Sequence, residues 1–402
     1  MEKIKNLIKE KARVYHSETI AIRRHIHSNP ELSAREYETA TFVEQQLDKI
    51  GIKHKRMAKT GVIGFIEGAE KGPALALRAD MDALPINEEN THNYVSKNEG
   101  VMHACGHDAH TAILLGTARI LYELREHLGG NIVLVFQPSE ENLPGGAKML
   151  LEEGLFNKYP VQKIFGLHVD PEIESGKIGM RGGQYMASTD EIYLTVKGKG
   201  GHGATPDKNV DTVLMGAQIL TNLQQIVSRN APPEIPTVLS FGRFIADGRT
   251  NIIPDEVKMD GTLRTFDETW RENAHQRITE VAQNTAMAAG GSCDVVIDRG
   301  YPYLVNDEKL TARCFDDASE FLGLEKVLKL NLRMTAEDFA YYSQQVPACF
   351  YRLGIRNEEK GIISNLHTST FNIDERSLET GIGIMSYLAF RNLSSSPEAQ
   401  DE

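Results

Sequence analysis

The chain has 402 residues, 41% hydrophobic and 25% charged, a length for two or three domains and a balance that excludes a disordered chain, a collagen and a disulfide miniprotein. Its 44 basic and 56 acidic residues leave a formal charge of −12, so nucleic acid and anionic membrane surfaces are poor partners, with room only for a local basic pocket for a small anion. The four cysteines, Cys105, Cys293, Cys314 and Cys349, are too dispersed for a disulfide framework. No apolar run reaches the roughly 18 residues of a membrane span. Residues 1–16 interleave charge with apolar side chains, so no export signal is expected and the expected compartment is a reducing cytoplasm.

Residues 3–50 read as helices broken at Asn29-Pro30, with Gly51 as a stop. Short apolar runs follow, ending in 74–79, each a candidate buried strand. Asp108 is placed to cap a helix from 109 to about 127, ended by Gly129-Gly130. Residues 131–137 form a β-rich run broken by Pro138; 146–153 is helix-like and 163–167 is another strand. Strands alternating with helices predict a parallel or mixed sheet covered on both faces. The middle differs: strand 191–196, helix 210–227, strands 237–244 and 256–264, helix 270–289 and strand 294–298 follow the ferredoxin-like βαββαβ order. That predicts an α/β protein in which residues 188–301 form a smaller α+β domain inserted into one made of 1–187 and 302–402. Residues 394–402, rich in Ser, Pro and acid, are expected to fray. No internal repeat is evident.

The strongest local signal is His103-Ala-Cys105-Gly-His107-Asp108-Ala-His110. Clustered Cys and His suit a borderline-soft metal ion, and no second ligand pair follows as in a zinc finger. Cys105 and His107 are two apart, so on extended backbone they point the same way. Gln137-Pro-Ser-Glu140-Glu141 puts two adjacent carboxylates after a strand. On extended backbone these would face opposite ways, one for a metal ion and one for a water. Asp80, Asp82, Glu140, Glu141 and His168 each fall just past the C-terminal end of a predicted strand, the edge where open α/β sheets bind ligands. Gly200-Gly201-His202-Gly203 and Arg249-Thr-Asn251-Ile-Ile-Pro254 are polar turns in the smaller domain; Glu337-Asp338-Phe339 and Leu366-His367-Thr368 are weaker signals.

Taken together, these motifs resemble one family. It is the metal-dependent amidohydrolases that include hippurate hydrolase, N-acyl-amino-acid aminoacylases and plant auxin-conjugate hydrolases, within the wider clan of two-domain metallo-exopeptidases. The resemblance runs from about Arg24 to Leu388 and also takes in Pro30-Glu-Leu, Leu77-Arg-Ala-Asp80-Met-Asp82-Ala-Leu-Pro85 and Gly261-Thr-Leu-Arg264. It implies a mixed-sheet two-metal catalytic domain with two divalent ions (Mn, Zn, Co or Ni) held by Cys105, His107, Glu141, His168 and His367. It implies Glu140 as general base, Asp82 as the aspartate that orients a ligand, and His202 and Asn251 as groups that polarise the scissile carbonyl. Arg264 is implied as a contact to a substrate carboxylate. The inserted domain is implied to act as a lid and to make a homodimer or higher homo-oligomer, so His202 could serve a neighbouring subunit.

The implied reaction is hydrolysis of a small substrate, an N-acyl-amino acid, to a carboxylate and a free amino acid. A dipeptidase or carboxypeptidase using the same centre is the alternative. A cysteine hydrolase built on Cys105 and a metal-binding scaffold without catalysis are further rivals. The chain departs from the family pattern at Asn142-Leu-Pro-Gly-Gly, Asp207, Thr335-Ala336 and Ser369, which bears on acyl and side-chain preference rather than on the chemistry.

Overall fold

The computed structural model describes residues 2–70, 72 and 74–393; the expected tail at 394–402 lies outside them. Helix α1 (Glu2–Ser28) buries Ile8, Ala12, Thr19, Arg23 and Ile26 at helical spacing. It stops before Asn29-Pro30, where proline disfavours helical backbone in the preceding residue. Helix α2 (Tyr37–Ile50) ends at Gly51, whose φ of 90° lets its amide reach back to the carbonyls of Leu47 and Asp48.

Strands β1 (Lys53–Met57), β2 (Gly61–Ile66), β3 (Ala74–Asp80), β4 (Asn131–Gln137), β5 (Val161–Glu174) and β6 (Ile178–Met180) share one sheet with Val327–Lys329 and Ala348–Arg356. Its order is β1, β2, β4, β3, β5, Ala348–Arg356, β6, Val327–Lys329. The pairs β3–β4, β3–β5 and β5 with Ala348–Arg356 are parallel, while β1–β2 and β2–β4 are antiparallel. Every residue of β3 is buried and nearly every residue of β4, as a sheet covered on both faces requires. Helix α3 (His107–Glu123) is buried almost all round and packs between α1 and the helix Arg376–Leu393.

Contacts divide the chain into two units. Among the described residues, the larger runs to Gly183 and takes up Val305–Asn331 and everything from Asp338 onward. The second comprises Gln184–Leu304 with Leu332–Glu337. Its antiparallel sheet runs Val238–Ile245, Glu256–Arg264, Asp190–Lys197, Ser292–Arg299. The helices Thr212–Gln225 and Glu268–Ala288 pack together and build its core with Ile192, Leu194, Met259, Ile219 and Ile278. The sheet order, second-third-first-fourth, is that of a ferredoxin-like βαββαβ unit.

Local expectations are corrected in three places. Asp108 does not cap α3: Gly106 occupies the cap at φ 85°, and Asp108 lies fully buried in the first turn. A Cβ at Gly106 would also come within 2.5 Å of Val169 Cγ2, so both conformation and space demand glycine there. The helix begins at His107 and gives way to a 3₁₀ turn at Arg125–His127. Strand β5 extends well beyond residue 167 and β3 runs through Asp80, so His168 and Asp80 lie within strands rather than past their ends.

Candidate metal centre

Asp82, fully buried two residues beyond β3, organises the loops around it. Its Oδ1 accepts the Glu140 amide and its Oδ2 the Glu141 amide, both at 3.0 Å, and Ser33 Oγ donates to Oδ2 at 2.6 Å. Its backbone carbonyl lies 2.9 Å from His107 Nδ1. A carbonyl can only accept, so Nδ1 carries the proton and His107 turns the lone pair of Nε2 inward. His168 is fixed the same way: Nδ1 donates to the Val169 carbonyl at 2.7 Å, and Nε2 lies 3.3 Å from Cys105 Sγ. The ring of His110 is opposite in sense. Its Nε2 accepts the Val169 amide at 2.9 Å, so its Nδ1 donates to Asp80 Oδ1 at 2.6 Å.

Cys105 and His107 converge because the chain turns through Gly106, not because their segment is extended. The two glutamates likewise do not face opposite ways. Ser139 has φ 52°, held where Glu36 Oε1 accepts its amide at 2.8 Å, and the turn brings both carboxylates toward His107. His367 arrives from far along the chain, also in left-handed backbone at φ 61°. Its amide donates to the Ala104 carbonyl at 2.8 Å. Its Nε2 lies 3.3 Å from Cys105 Sγ and 3.2 Å from Glu141 Oε1. Strained backbone at non-glycine residues marks positions fixed by their surroundings.

Three overlapping groups result: Cys105, His107 and His168; Cys105, Glu141 and His367; and His107, Glu140 and Glu141. Within each, the donor atoms fall within 4.8 Å of one another. His107 Nε2 is buried and forms no hydrogen bond, and Glu141 Oε1 is a buried acceptor that faces His367 Nε2 at 3.2 Å and, more distantly, His107 Nε2 at 3.9 Å. Buried polar atoms are normally satisfied, so their convergence fits a divalent cation between them. Thiolate, imidazole and carboxylate together suit a borderline ion, and the overlap of the groups suits two.

The electrostatics agree. Burial, followed by the charges of Glu141 and Glu140, holds the Cys105 thiol well above its usual range. Burial opposes charge on His107, yet Asp80 and Asp82 prevail and push it up to about 10. The carboxylates that favour positive charge on His107 equally favour a cation at its Nε2. Hydrogen bonding to Glu141 raises His367, whereas burial and the nearby Arg352 hold His168 well below its usual value. Arg78 is committed elsewhere: Nη1 lies 2.6 Å from Asp80 Oδ2 and Nη2 lies 2.8 Å from Asp338 Oδ1. Gln137 Nε2 and the Ala147 amide also bond Asp338.

The other named residues lie in the second unit. His202 and Asn251 are neighbours on a two-stranded arm, where His202 pairs with Ile252 and the Gly203 amide donates to the Asn251 carbonyl. The exposed His202 accepts the Ala204 amide at Nδ1, 3.1 Å, so its proton sits on Nε2 as an outward donor. Arg264 is half-buried on a sheet strand. Its Nη1 is buried without a hydrogen bond, and burial lowers its pKa.

Sequence reasoning missed the bracing of the site. Glu36 has no local signal, since its partners Ser139 and Thr60 are remote in sequence. Arg78 did carry one: a charged residue inside the apolar run 74–79 needs a buried partner. Asp80 was legible as a strand-end carboxylate and His110 as part of the Cys105 cluster, whereas Asp338 stood only in the weaker Glu337-Asp338-Phe339 motif.

Residues 76–391 match the model of peptidase family M20/M25/M40. The N-acyl-L-amino acid amidohydrolase of Geobacillus stearothermophilus is 44% identical, over 76% of this chain and 81% of that protein. Thermostable carboxypeptidase 2 of Saccharolobus solfataricus is 38% identical, over 97% of this chain and 98% of that one. Among solved structures, a dinuclear metal-binding M20 peptidase of Bacillus subtilis superposes with a TM-score of 0.80 at 33% identity, covering 96% of this chain and all of that one. By matched length, identity and fold, the chain belongs to peptidase family M20/M25/M40.

Proposed function

We propose that the protein hydrolyses the amide bond of N-acyl-amino acids, with Cys105, His107, Glu141, His168 and His367 holding two divalent ions. The observation that carries the reading is the convergence of these donors, in groups within 4.8 Å, around the buried His107 Nε2, which forms no hydrogen bond, with the more exposed His367 closing one side. Relatives named as an N-acyl-L-amino acid amidohydrolase and an N-acetyl-L-cysteine deacetylase support the substrate class. The carboxypeptidases among them keep peptide-bond cleavage as the second reading.

Bound there, the ions would supply Lewis acidity and make water acidic enough to act near neutral pH. Glu140, whose amide is pinned by Asp82, takes the proton of the attacking water and later returns it to the leaving amine. His202 Nε2–H donates to the carbonyl oxygen as it becomes an oxyanion, with Asn251 beside it. Arg264, with an unbonded buried nitrogen, receives the substrate carboxylate. Asp82 fixes the His107 ring, and the products are a carboxylic acid and a free amino acid.

In this reading residues 1–187 and 302–402 are the catalytic domain and 188–301 the lid. The lid also forms the homodimer, with the edge strand Val238–Ile245 and its partly exposed Val238 and Phe244 as the apolar surface. The ions are drawn from Mn, Zn, Co or Ni according to supply. Four unpaired, buried cysteines accord with a cytoplasmic setting; among the described residues no helix is long and apolar enough to cross a membrane. A cysteine hydrolase built on Cys105 is the remaining rival, separated by its sensitivity to alkylation and indifference to chelation.

The test is hydrolysis of N-acetyl- and N-benzoyl-amino acids and of dipeptides, before chelation, after it, and after Mn, Zn or Co is returned. Acyl-amino-acid cleavage lost with chelator and restored by metal is the expected result. Preference for dipeptides would select the second reading, and chelator-resistant, alkylation-sensitive turnover would replace both.

A further inference from the structure

A second cluster of donors lies where α1 ends. His27 Nε2 is 3.1 Å from Glu88 Oε1, and His92 Nε2 is 3.3 Å from the same oxygen. A tetrahedral ion with bonds of about 2.0–2.1 Å spaces its ligands by about 3.3 Å, so each imidazole already stands at ligand separation from the carboxylate, and all three atoms lie within 4.8 Å of one another. Each is supported from behind. His27 Nδ1 lies 2.8 Å from Asp108 Oδ2, both side chains fully buried, the carboxylate–imidazole arrangement that orients a ligating ring. Glu88 Oε2 accepts the Ser96 amide at 2.6 Å, and Asn90 Nδ2 uses one lone pair of Oε1 at 2.9 Å. His92 stacks on Tyr94 with ring centroids 3.7 Å apart.

A protonated His27 alone would answer Glu88 but not His92. Apart from the 3.3 Å approach of Nε2 to Glu88 Oε1, the buried ring nitrogens of His92 have no hydrogen-bond partner. Both nitrogens of His103, 1% exposed, are also buried without a hydrogen bond, and its ring centroid is 6.4 Å from that of His27. Nor do the nearby arginines use up the negative charge. Arg23 is met by Asp108 at 2.6 Å and Glu375 at 3.4 Å, and Arg24 by Glu375 at 2.6 Å, which leaves Glu88 to the imidazoles.

We propose that His27, Glu88 and His92 form a further divalent-cation site, distinct from the Cys105 centre, for an imidazole-preferring ion of the zinc class. Two imidazoles and one carboxylate select such an ion over magnesium or calcium. Asp108 directly follows His107, so an ion here clips α1 and the segment around Glu88 to the first turn of α3.

The test counts zinc on the full-length protein after chelation, reloading with Zn²⁺ and desalting. His92→Leu, at a partly exposed position, should bind one zinc fewer per chain than the unaltered protein and keep its hydrolytic activity. Glu88→Gln should lose the same equivalent. In a Cys105→Ala, His107→Ala double variant one zinc should remain, raise the unfolding temperature, and disappear when His92→Leu is added. This last arm isolates the site from failure of the Cys105 centre. Equal zinc content with and without His92, together with an unchanged zinc-dependent rise in unfolding temperature, would overturn the proposal.

Discussion

Both units bury carboxylates, and they neutralise them differently. In the inserted unit Asp190 is fully buried. Its oxygens meet Arg271 Nη2 at 2.6 Å and His275 Nε2 at 2.8 Å, and the Thr262 hydroxyl and Arg271 tie down neighbouring carbonyls. All of these partners belong to the same unit as Asp190. In the larger unit Glu140, Glu141, Asp82 and the Cys105 sulfur crowd three imidazoles, and the nearby Arg78 is spent on Asp80 and Asp338. A closed ion cluster stabilises a fold; the cluster around Cys105 is the one we propose as a cation site. That contrast separates scaffold from chemistry without appeal to which residues look catalytic.

The comparison can be broken by variants that should act on one side only. The largest effect is expected from Glu140→Gln, which should lower kcat/KM by about 10²–10⁴-fold while elemental analysis finds the metal content unchanged. Normal turnover would remove Glu140 as the base. Next, Asp190→Asn removes one of the two carboxylates on the buried Arg271, leaving Glu268 Oε2 at 2.9 Å, and should cost about 1.5–3 kcal/mol of stability, read by urea unfolding, with no loss of bound metal. Chelation should do the reverse. It should lower the unfolding temperature of the larger unit, since a ligand present at a thousand times its Kd contributes about 4 kcal/mol, and leave the Asp190 cluster unaffected. Calorimetry that shows no change on chelation would put the cation outside the fold's energetics.

Smaller effects sharpen the same contrast. Asp82→Asn frees neither loop amide completely but weakens the hold on His107, and metal affinity should fall about 10–100-fold, measured by competition with a chromophoric chelator. In acid the inserted unit should weaken through Asp190. Burial alone would raise this carboxyl, yet His275 and Arg271 hold it below the usual carboxylate value. Its contribution is therefore complete above the unfolded pKa of about 3.9 and is lost as the pH falls through the lower folded value. Urea midpoints should drop over that range in the unaltered protein and much less in Asp190→Asn.

Much of this was legible in the sequence because it is local or periodic. The βαββαβ order followed from alternation of strand and helix patterns, and the Cys105–His110 cluster from composition alone. What escaped was the geometry of turns. Extended backbone was the natural reading for Cys105-Gly-His107 and for Glu140-Glu141, but Gly106 at φ 85° and Ser139 at φ 52° reverse the chain there. Positive φ at a serine carries no sequence mark; it is held by Glu36, a hundred residues away. Asp108 read as a cap because Asp commonly caps helices, but its carboxylate is instead claimed by Arg23 and His27 of α1. Long-range pairing of this kind is invisible to local pattern.

The central claim is that the buried anionic cluster around Cys105 is completed by a cation bound through its sulfur. Cobalt titration of the chelated protein, followed by near-ultraviolet thiolate-to-cobalt absorption, tests it most directly. A band that grows with added cobalt and is absent in Cys105→Ser is the result expected. No band at saturating cobalt, or the same band in Cys105→Ser, would contradict it.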